Sequence, residues 1–294
     1  MSNVTFSLKT KIALVLTVLF WSSAFVGIRV SLEGYTPGAL ALFRFLIASV
    51  CMGFIYWRLP KKAVFKRKDF WLLLLFGAVG LGCYNVFLNY GELTVSAGVA
   101  SFIVSQSPLI SMLCAAFFLK EGFNFAALFG VFISIFGVGL ITLGHSDNAG
   151  LGMGLLFVFM ATVVNALYSV IQKPFLNKYH AIDVTVFIIW SGTAALLIYL
   201  PDLIHEIPKA SLKATLSTIY LGIFPAAIAY AAWSYALSEI PVSRCVSFMY
   251  FMPVIATFLG WLCLGEVPTT ISLIGGLVAL VGVWVANRAY MKGG

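Results

Sequence analysis

Apolar stretches of about twenty residues, separated by short polar joints, recur along the whole chain. They fall at about 11–31, 37–57, 70–91, 95–119, 125–143, 152–174, 183–200, 214–237, 241–264 and 268–289. A bilayer core about 30 Å thick takes roughly 20 apolar residues as helix. The pattern therefore predicts an all-α polytopic membrane protein with ten transmembrane helices. Joints such as "EGYTPG" and "GEVPT" have turn length only, which leaves no room for an appended domain. The first stretch is too long for a signal-peptide core, holds Trp21 and Arg29, and lacks a small-residue cleavage site, so it reads as a retained span.

One interruption stands out. In "SFIVSQSPLISMLCAAF", Ser101 to Phe117, the cluster Ser105, Gln106, Ser107 and Pro108 falls near the middle of an otherwise apolar span. Polar or irregular backbone at membrane depth is tolerated where it lines a protein-enclosed or watery cavity, so this span is expected to line one. Residues three or four apart share a helix face, and that spacing gathers further candidates. Asn85 and Asn89 lie four apart beside Tyr84, Ser101 and Ser105 four apart, Asn165 and Tyr168 three apart. Tyr230, Trp233 and Ser234 follow in the eighth span, and Ser243, Ser247 and Tyr250 in the ninth. Two readings stay open for these polar side chains: they line a cavity, or they join helix to helix.

Composition agrees with the membrane reading. The chain is 62% hydrophobic and 10% charged, where soluble domains carry about 25% charged residues. Lys and Arg collect on the cytoplasmic side in short loops. The joint "RLPKKAVFKRKD", with Arg58, Lys61, Lys62, Lys66, Arg67 and Lys68, is thus expected to be cytoplasmic. Counting from it puts both termini inside and Glu33, Glu92, Asp147, Asp202, Glu206 and Glu266 outside, with Lys209 and Lys213 as exceptions. Topology and phospholipid attraction account for the net charge of +8 without nucleic acid. The five cysteines are scattered singly, and the three histidines lie in or beside loops. Neither metal nor cofactor is expected. No Walker sequence, H-E-x-x-H or G-x-S-x-G is present, and no carboxylate interrupts an apolar run away from its ends, so an enzyme is not expected.

One charge lies deep. Arg44 is about seven residues inside the second span, roughly 10 Å from its boundary. It needs a partner, either backbone carbonyl and water or an anionic group on a substrate. Glu121 and Glu266 each stand just before a helix, where a carboxylate complements the N-terminal dipole.

The chain also repeats itself. A shift of 145 residues lays Tyr90 on Tyr235, Pro108 on Pro253, Glu121 on Glu266, Gly130 on Gly275 and Gly137 on Gly282. Five helices followed by five place the second copy in the membrane upside down. Residues 1–144 and 145–294 are then two inverted five-helix repeats, an architecture of carriers whose halves rock about a central site.

"FWSSAFVGIRVSLEGYTPGALALFRF", with Trp21, Pro37 and Arg44, resembles the opening of EamA-type members of the drug/metabolite transporter superfamily. "LGEVPTTISLIGGLVALVGVW" resembles the ending of their second repeat. The resemblance implies ten helices, cytoplasmic termini, a bacterial inner-membrane location and alternating access, often for export of amino acids or related metabolites. On this reading Trp21, Tyr84, Tyr168, Tyr230, Trp233 and Tyr250 supply apolar contact surface. Asn85, Asn89, Ser105, Gln106 and Asn165 supply orienting hydrogen bonds, Arg44 a charge, and Pro108 and Pro253 bending points. The expected partners are a small-molecule substrate and the lipid bilayer; the oligomeric state stays open, a monomer among the alternatives. Import of an activated metabolite such as S-adenosylmethionine, or a non-transporting scaffold, are the alternatives.

Overall fold

The computed structural model describes residues 7–107, 109–111, 114, 125–143 and 149–293. These residues form ten helical segments and no strand. They are α1 (Leu8–Ser31), α2 (Pro37–Trp57), α3 (Arg67–Gly91), α4 (Ala97–Ser111), α5 (Phe125–Leu143), α6 (Ala149–Leu176), α7 (Ala181–Glu206), α8 (Leu212–Glu239), α9 (242–264) and α10 (Thr270–Gly293). Local sequence sets the ends. The Ser7 and Ser211 hydroxyls accept the Thr10 and Ala214 amides at the starts of α1 and α8. Pro37 opens α2, where its missing N–H costs nothing. Gly265 ends α9 at φ 67, a left-handed cap that glycine adopts without strain.

Polar contacts at the helix ends show how the chain alternates. At the end carrying the basic loop, the Lys66 amide donates to the Tyr179 hydroxyl and Lys178 pairs with Asp69 at 3.4 Å. At the opposite end, the Thr36 amide donates to Glu206, Lys213 pairs with Glu33, and Arg29 pairs with Glu266. The joints after α1, α7 and α9 thus share one end and those after α2 and α6 the other; the joints after α4 and α5 lie outside the described residues.

The 145-residue repeat reappears in backbone detail. α3 carries a π-helical segment at Gly77–Cys83, and α8 carries one at Gly222–Ile228, 145 residues on at both bounds. α4 loosens into a turn at Ser105 and Gln106, and their counterparts Tyr250 and Phe251 lie in the 3₁₀ turn Phe248–Phe251 of α9.

Packing obeys the same exchange. A Cβ on Gly77 of α3 would lie 2.2 Å from the Ile188 carbonyl oxygen of α7, and one on Gly222 of α8 would lie 2.8 Å from the Arg44 carbonyl oxygen of α2. α5 and α10 cross with backbones touching. A Cβ on Gly130 would lie 2.6 Å from the Gly282 carbonyl oxygen, and one on Gly137 would lie 2.6 Å from that of Gly275. Swapping the repeats turns one contact into the other, so a two-fold axis in the membrane plane passes through this crossing. The chain is therefore two inverted five-helix repeats. The boundary drawn between residues 144 and 145 lies outside the described residues.

The main core gathers α1, α2, α3 and α8 around Phe25, Phe45, Tyr230 and Trp233. α5 and α10 stand beside it over a smaller cluster of Leu109, Val131, Val283 and Ala286. They expose Phe129, Phe132, Phe136, Leu277, Val281 and Trp284 outward, a face suited to lipid.

Candidate functional site

Between the halves lies a small void. α1 contributes Trp21, Ala24 and Phe25, α2 Arg44, and α3 Tyr84 and Leu88, while the second half contributes Tyr230 from α8 and Met252 from α9. Its volume is about 10 Å³, room for about one water. Its lining residues are buried, Tyr84 partly so.

Arg44 is 3% exposed. Its Nη1 donates to Asn85 Oδ1 at 3.0 Å, its guanidinium carbon stands 5.8 Å from the Phe45 ring centre, and its Nε has no hydrogen bond. Sequence reasoning expected a carbonyl, water or a substrate anion as partner; the structure supplies a side-chain amide. An amide satisfies a donor without cancelling the charge. The positive field of Arg44 therefore stays open to an anion.

The two π segments build this site from below. A π turn departs from the ordinary i to i−4 ladder and is frequent at functional sites. Asn85 Nδ2 donates to the Leu81 carbonyl inside the α3 segment at 2.9 Å. Trp21 Nε1 donates to the Pro225 carbonyl inside the α8 segment at 3.2 Å. Each half thus orients one side chain of the site with a carbonyl from its irregular turn. Aromatic rings back the void: Trp21 stands 5.3 Å from Tyr230 and 5.2 Å from Trp233, and Tyr168 meets Tyr230 edge-on at 6.3 Å. Trp233 Nε1 and the Tyr168 hydroxyl are buried without hydrogen bonds.

The other predicted residues are placed elsewhere. Asn89 donates to the Pro37 carbonyl at 2.9 Å, tying α3 to the start of α2. Ser134 of α5 donates to Gln106 Oε1, whose amide Nε2 donates to the Phe102 carbonyl. Ser105 donates back to Phe102, and Asn165 of α6 donates to Ser107 at 3.2 Å. The polar cluster of α4 thus joins α4, α5 and α6, and Ser105, Gln106 and Asn165 do not reach the void. Tyr250 packs against the small cluster beneath α5 and α10. Pro253 occupies the first turn of the helix that follows the 3₁₀ turn in α9. Pro108 lies outside the described residues, as do Glu121 and the side chains of Ser243 and Ser247.

A family model, that of the EamA-like transporter family, matches residues 8–143 and again 152–288. The chain belongs to this family. As an EamA-like transporter of the drug/metabolite superfamily, it is a multi-pass membrane protein that carries small molecules across a bilayer. It is 41% identical over 268 residues to the uncharacterized transporter YdfC of Bacillus subtilis, covering 91% of this chain and 87% of that one. It is 37% identical over 276 residues to a protein of Streptantibioticus cattleyicolor named probable terminal-alkyne amino-acid exporter, covering 94% and 92%. A solved crystal structure shares the fold, with a TM-score of 0.68 at 20% identity over 94% of this chain and 96% of that chain.

At the ends of the transporter the structure adds residues that the sequence reading missed or misplaced. Arg29 of α1 pairs with Glu266 Oε1 at 3.0 Å and donates to the carbonyls of Glu92 and Leu93 at the end of α3. Its place in the sequence assigns Glu266 to the start of its own helix, α10. Instead its other oxygen accepts the Ala97 amide at 2.9 Å, capping α4. Arg29 and Glu266 line a vestibule of about 340 Å³ together with Leu32, Glu33, Leu93 and Leu264. Glu92, expected in a solvated joint, is 0% exposed. At the basic-loop end, Lys173 of α6 donates to the carbonyls of Leu237 and Ile240, which close α8. Leu237 is the counterpart of Glu92 under the 145-residue shift. Each end therefore carries one cation clamped on the last carbonyls of a repeat's third helix, where the helix dipole favours positive charge. The sequence signal was present: Arg29 and Lys173 sit at nearly equivalent positions near the ends of α1 and α6.

Proposed function

We propose that this EamA-like transporter exports or exchanges an amino acid or a related zwitterionic metabolite with an apolar side chain, across a bacterial inner membrane, by alternating access. The observation that supports this most directly is Arg44: a buried guanidinium with only an amide partner, facing a void walled by Trp21, Tyr84, Phe25 and Tyr230. A carboxylate on Arg44 with an apolar side chain against those rings uses both features. The Streptantibioticus relative named as an amino-acid exporter points to the same class.

On this reading the halves 1–144 and 145–294 rock about the void, and the basic-loop end is cytoplasmic together with both termini. Arg44 and Asn85 orient the substrate, and Trp21, Tyr84 and Tyr230 form its walls. Trp233, Tyr168 and Asn89 brace them from behind. Gln106, Ser105 and Asn165 act through the α4–α5–α6 joint, and Tyr250 and Pro253 through the bend of α9.

Purified protein in proteoliposomes preloaded with single radiolabelled amino acids tests the proposal. Saturable efflux of an apolar amino acid, at least tenfold slower in Arg44→Met, is expected. Efflux no faster than from empty liposomes for every apolar amino acid would refute the substrate class.

A further inference from the structure

We infer that the Glu92 carboxyl is a proton-binding site: it takes up a proton when the Arg29–Glu266 end of the transporter closes and releases it to vestibule water when that end opens. The inference rests on the alternating-access reading, which supplies the opening.

Geometry carries it. Glu92 is fully buried, and neither carboxyl oxygen has a hydrogen-bond partner. Among the described residues its polar contacts are through its backbone: the amide donates to the Leu88 carbonyl at 2.9 Å and the carbonyl accepts from Arg29. The cation that could neutralise it is already engaged, because Arg29 Nε is paired with Glu266, and Glu266 in turn holds the Ala97 amide. An ionised carboxylate without hydrogen bonds or a dedicated cation is among the most costly groups a protein interior can hold. In the closed protein Glu92 is therefore the neutral acid.

The charged groups felt by Glu92 are Arg29 from α1, Glu266 from the joint before α10, and Arg44 from α2. Burial dominates and Glu266 adds to it, while Arg29 and Arg44 oppose. The balance holds the carboxyl well above the usual carboxylate range.

Position gives the proton a route and a consequence. Leu93, the next residue, lines the vestibule, so a slight parting of Arg29 from Glu266 admits water to the carboxyl. In water the acid ionises and its proton leaves as hydronium; closure reverses the step. Asn85, Asn89 and Glu92 are spaced four and three apart on one face of α3, which stacks the proton site above the amide that holds Arg44, at roughly 10 Å along the helix. The opposite end has Leu237 at the equivalent position. Closing that end therefore takes up no proton at the matching place, and the two faces of the cycle differ.

The test needs no transported substrate, so its failure is separable from failure of the transport reading. Purified protein is titrated by infrared difference spectroscopy between pH 5 and 10, with the proton itself as the ligand. A protonated-carboxyl band that persists well above the usual carboxylate range and vanishes in Glu92→Gln is expected. Thermal melting gives the second readout. The folded protein binds a proton that the unfolded chain releases near pH 4.5, so wild-type stability should fall as pH rises through the window above that value, and Glu92→Gln should flatten the fall. Arg29→Gln, on a side chain about one-third exposed, removes a charge that favours the carboxylate and should move the band's midpoint to higher pH. Absence of any band sensitive to Glu92→Gln would overturn the proposal. Should that variant fail to fold, an unmoved midpoint in Arg29→Gln would do so.

Discussion

The crossing of α5 and α10 makes a sharp prediction, because the same substitution should have opposite effects two residues apart. A methyl group on Gly137 would lie 2.3 Å from the Ala279 amide nitrogen, 2.6 Å from the Gly275 carbonyl oxygen and 2.7 Å from the Ala279 Cα. Ordinary contact begins near 3.5 Å, so the shortfall is about 1 Å, and the obstacles are backbone atoms that cannot rotate aside. The helices must part along the whole crossing. Overpacking of this kind costs about 1–3 kcal/mol, against a gain of about 1 kcal/mol from alanine's better helix propensity. Gly137→Ala should therefore destabilise by up to about 2 kcal/mol net. A methyl on Gly139 meets nothing within 4 Å, so Gly139→Ala should be neutral or up to about 1 kcal/mol more stable. Gly130→Ala and Gly282→Ala open the same crossing from its two sides, and their effects should fall short of additive. Thermal denaturation of detergent-solubilised protein, scored by the fraction eluting as a monodisperse peak, measures all four. Gly137→Ala as stable as wild type with Gly139→Ala destabilised would refute the packing argument.

Further outcomes follow from individual contacts. Glu266→Ala should cost about 1–1.5 kcal/mol, about 0.5 for a pair whose arginine is a third exposed and about 1 for the lost acceptor at the start of α4; Glu266→Gln, which keeps an acceptor for Ala97, should cost less in the same melting assay. Trp21→Phe strips the Pro225 carbonyl of its donor and should destabilise by about 1 kcal/mol while raising the substrate concentration needed for half-maximal efflux. Lys173→Met releases the last carbonyls of α8, so the buried thiol of Cys245 should react severalfold faster with a small maleimide.

Much of the architecture was legible because apolar length and the 145-residue shift are properties of single segments. Gly130, Gly137, Gly275 and Gly282 stood out as repeat mates, and the structure shows why: they are where one repeat touches its own inverted copy. The partnerships were not legible. Periodicity tells which residues share a face of one helix, but not which neighbour that face meets. Asn85 and Arg44 each stand out in the sequence, yet nothing in their spacing says that they bond to each other. The same blindness left two readings open for Gln106 and Asn165, and in the closed protein their hydrogen bonds run between helices. Glu92 is misread for a related reason: it stands one residue past an apolar run, and only three-dimensional packing decides that it is buried. The π segments left no mark that helical spacing could read, although Gly77 and Gly222 begin them both.

The central claim is that a closed void between two inverted halves becomes reachable from each side of the membrane in turn. Ala24 lines that void. Ala24→Cys, in a background with the five native cysteines replaced, can be exposed to a membrane-impermeant thiol reagent from one face of oriented vesicles at a time. The account predicts labelling from either face, slowed in both cases by a saturating transported amino acid. A thiol that stays unlabelled from both faces, with transport intact, would contradict it.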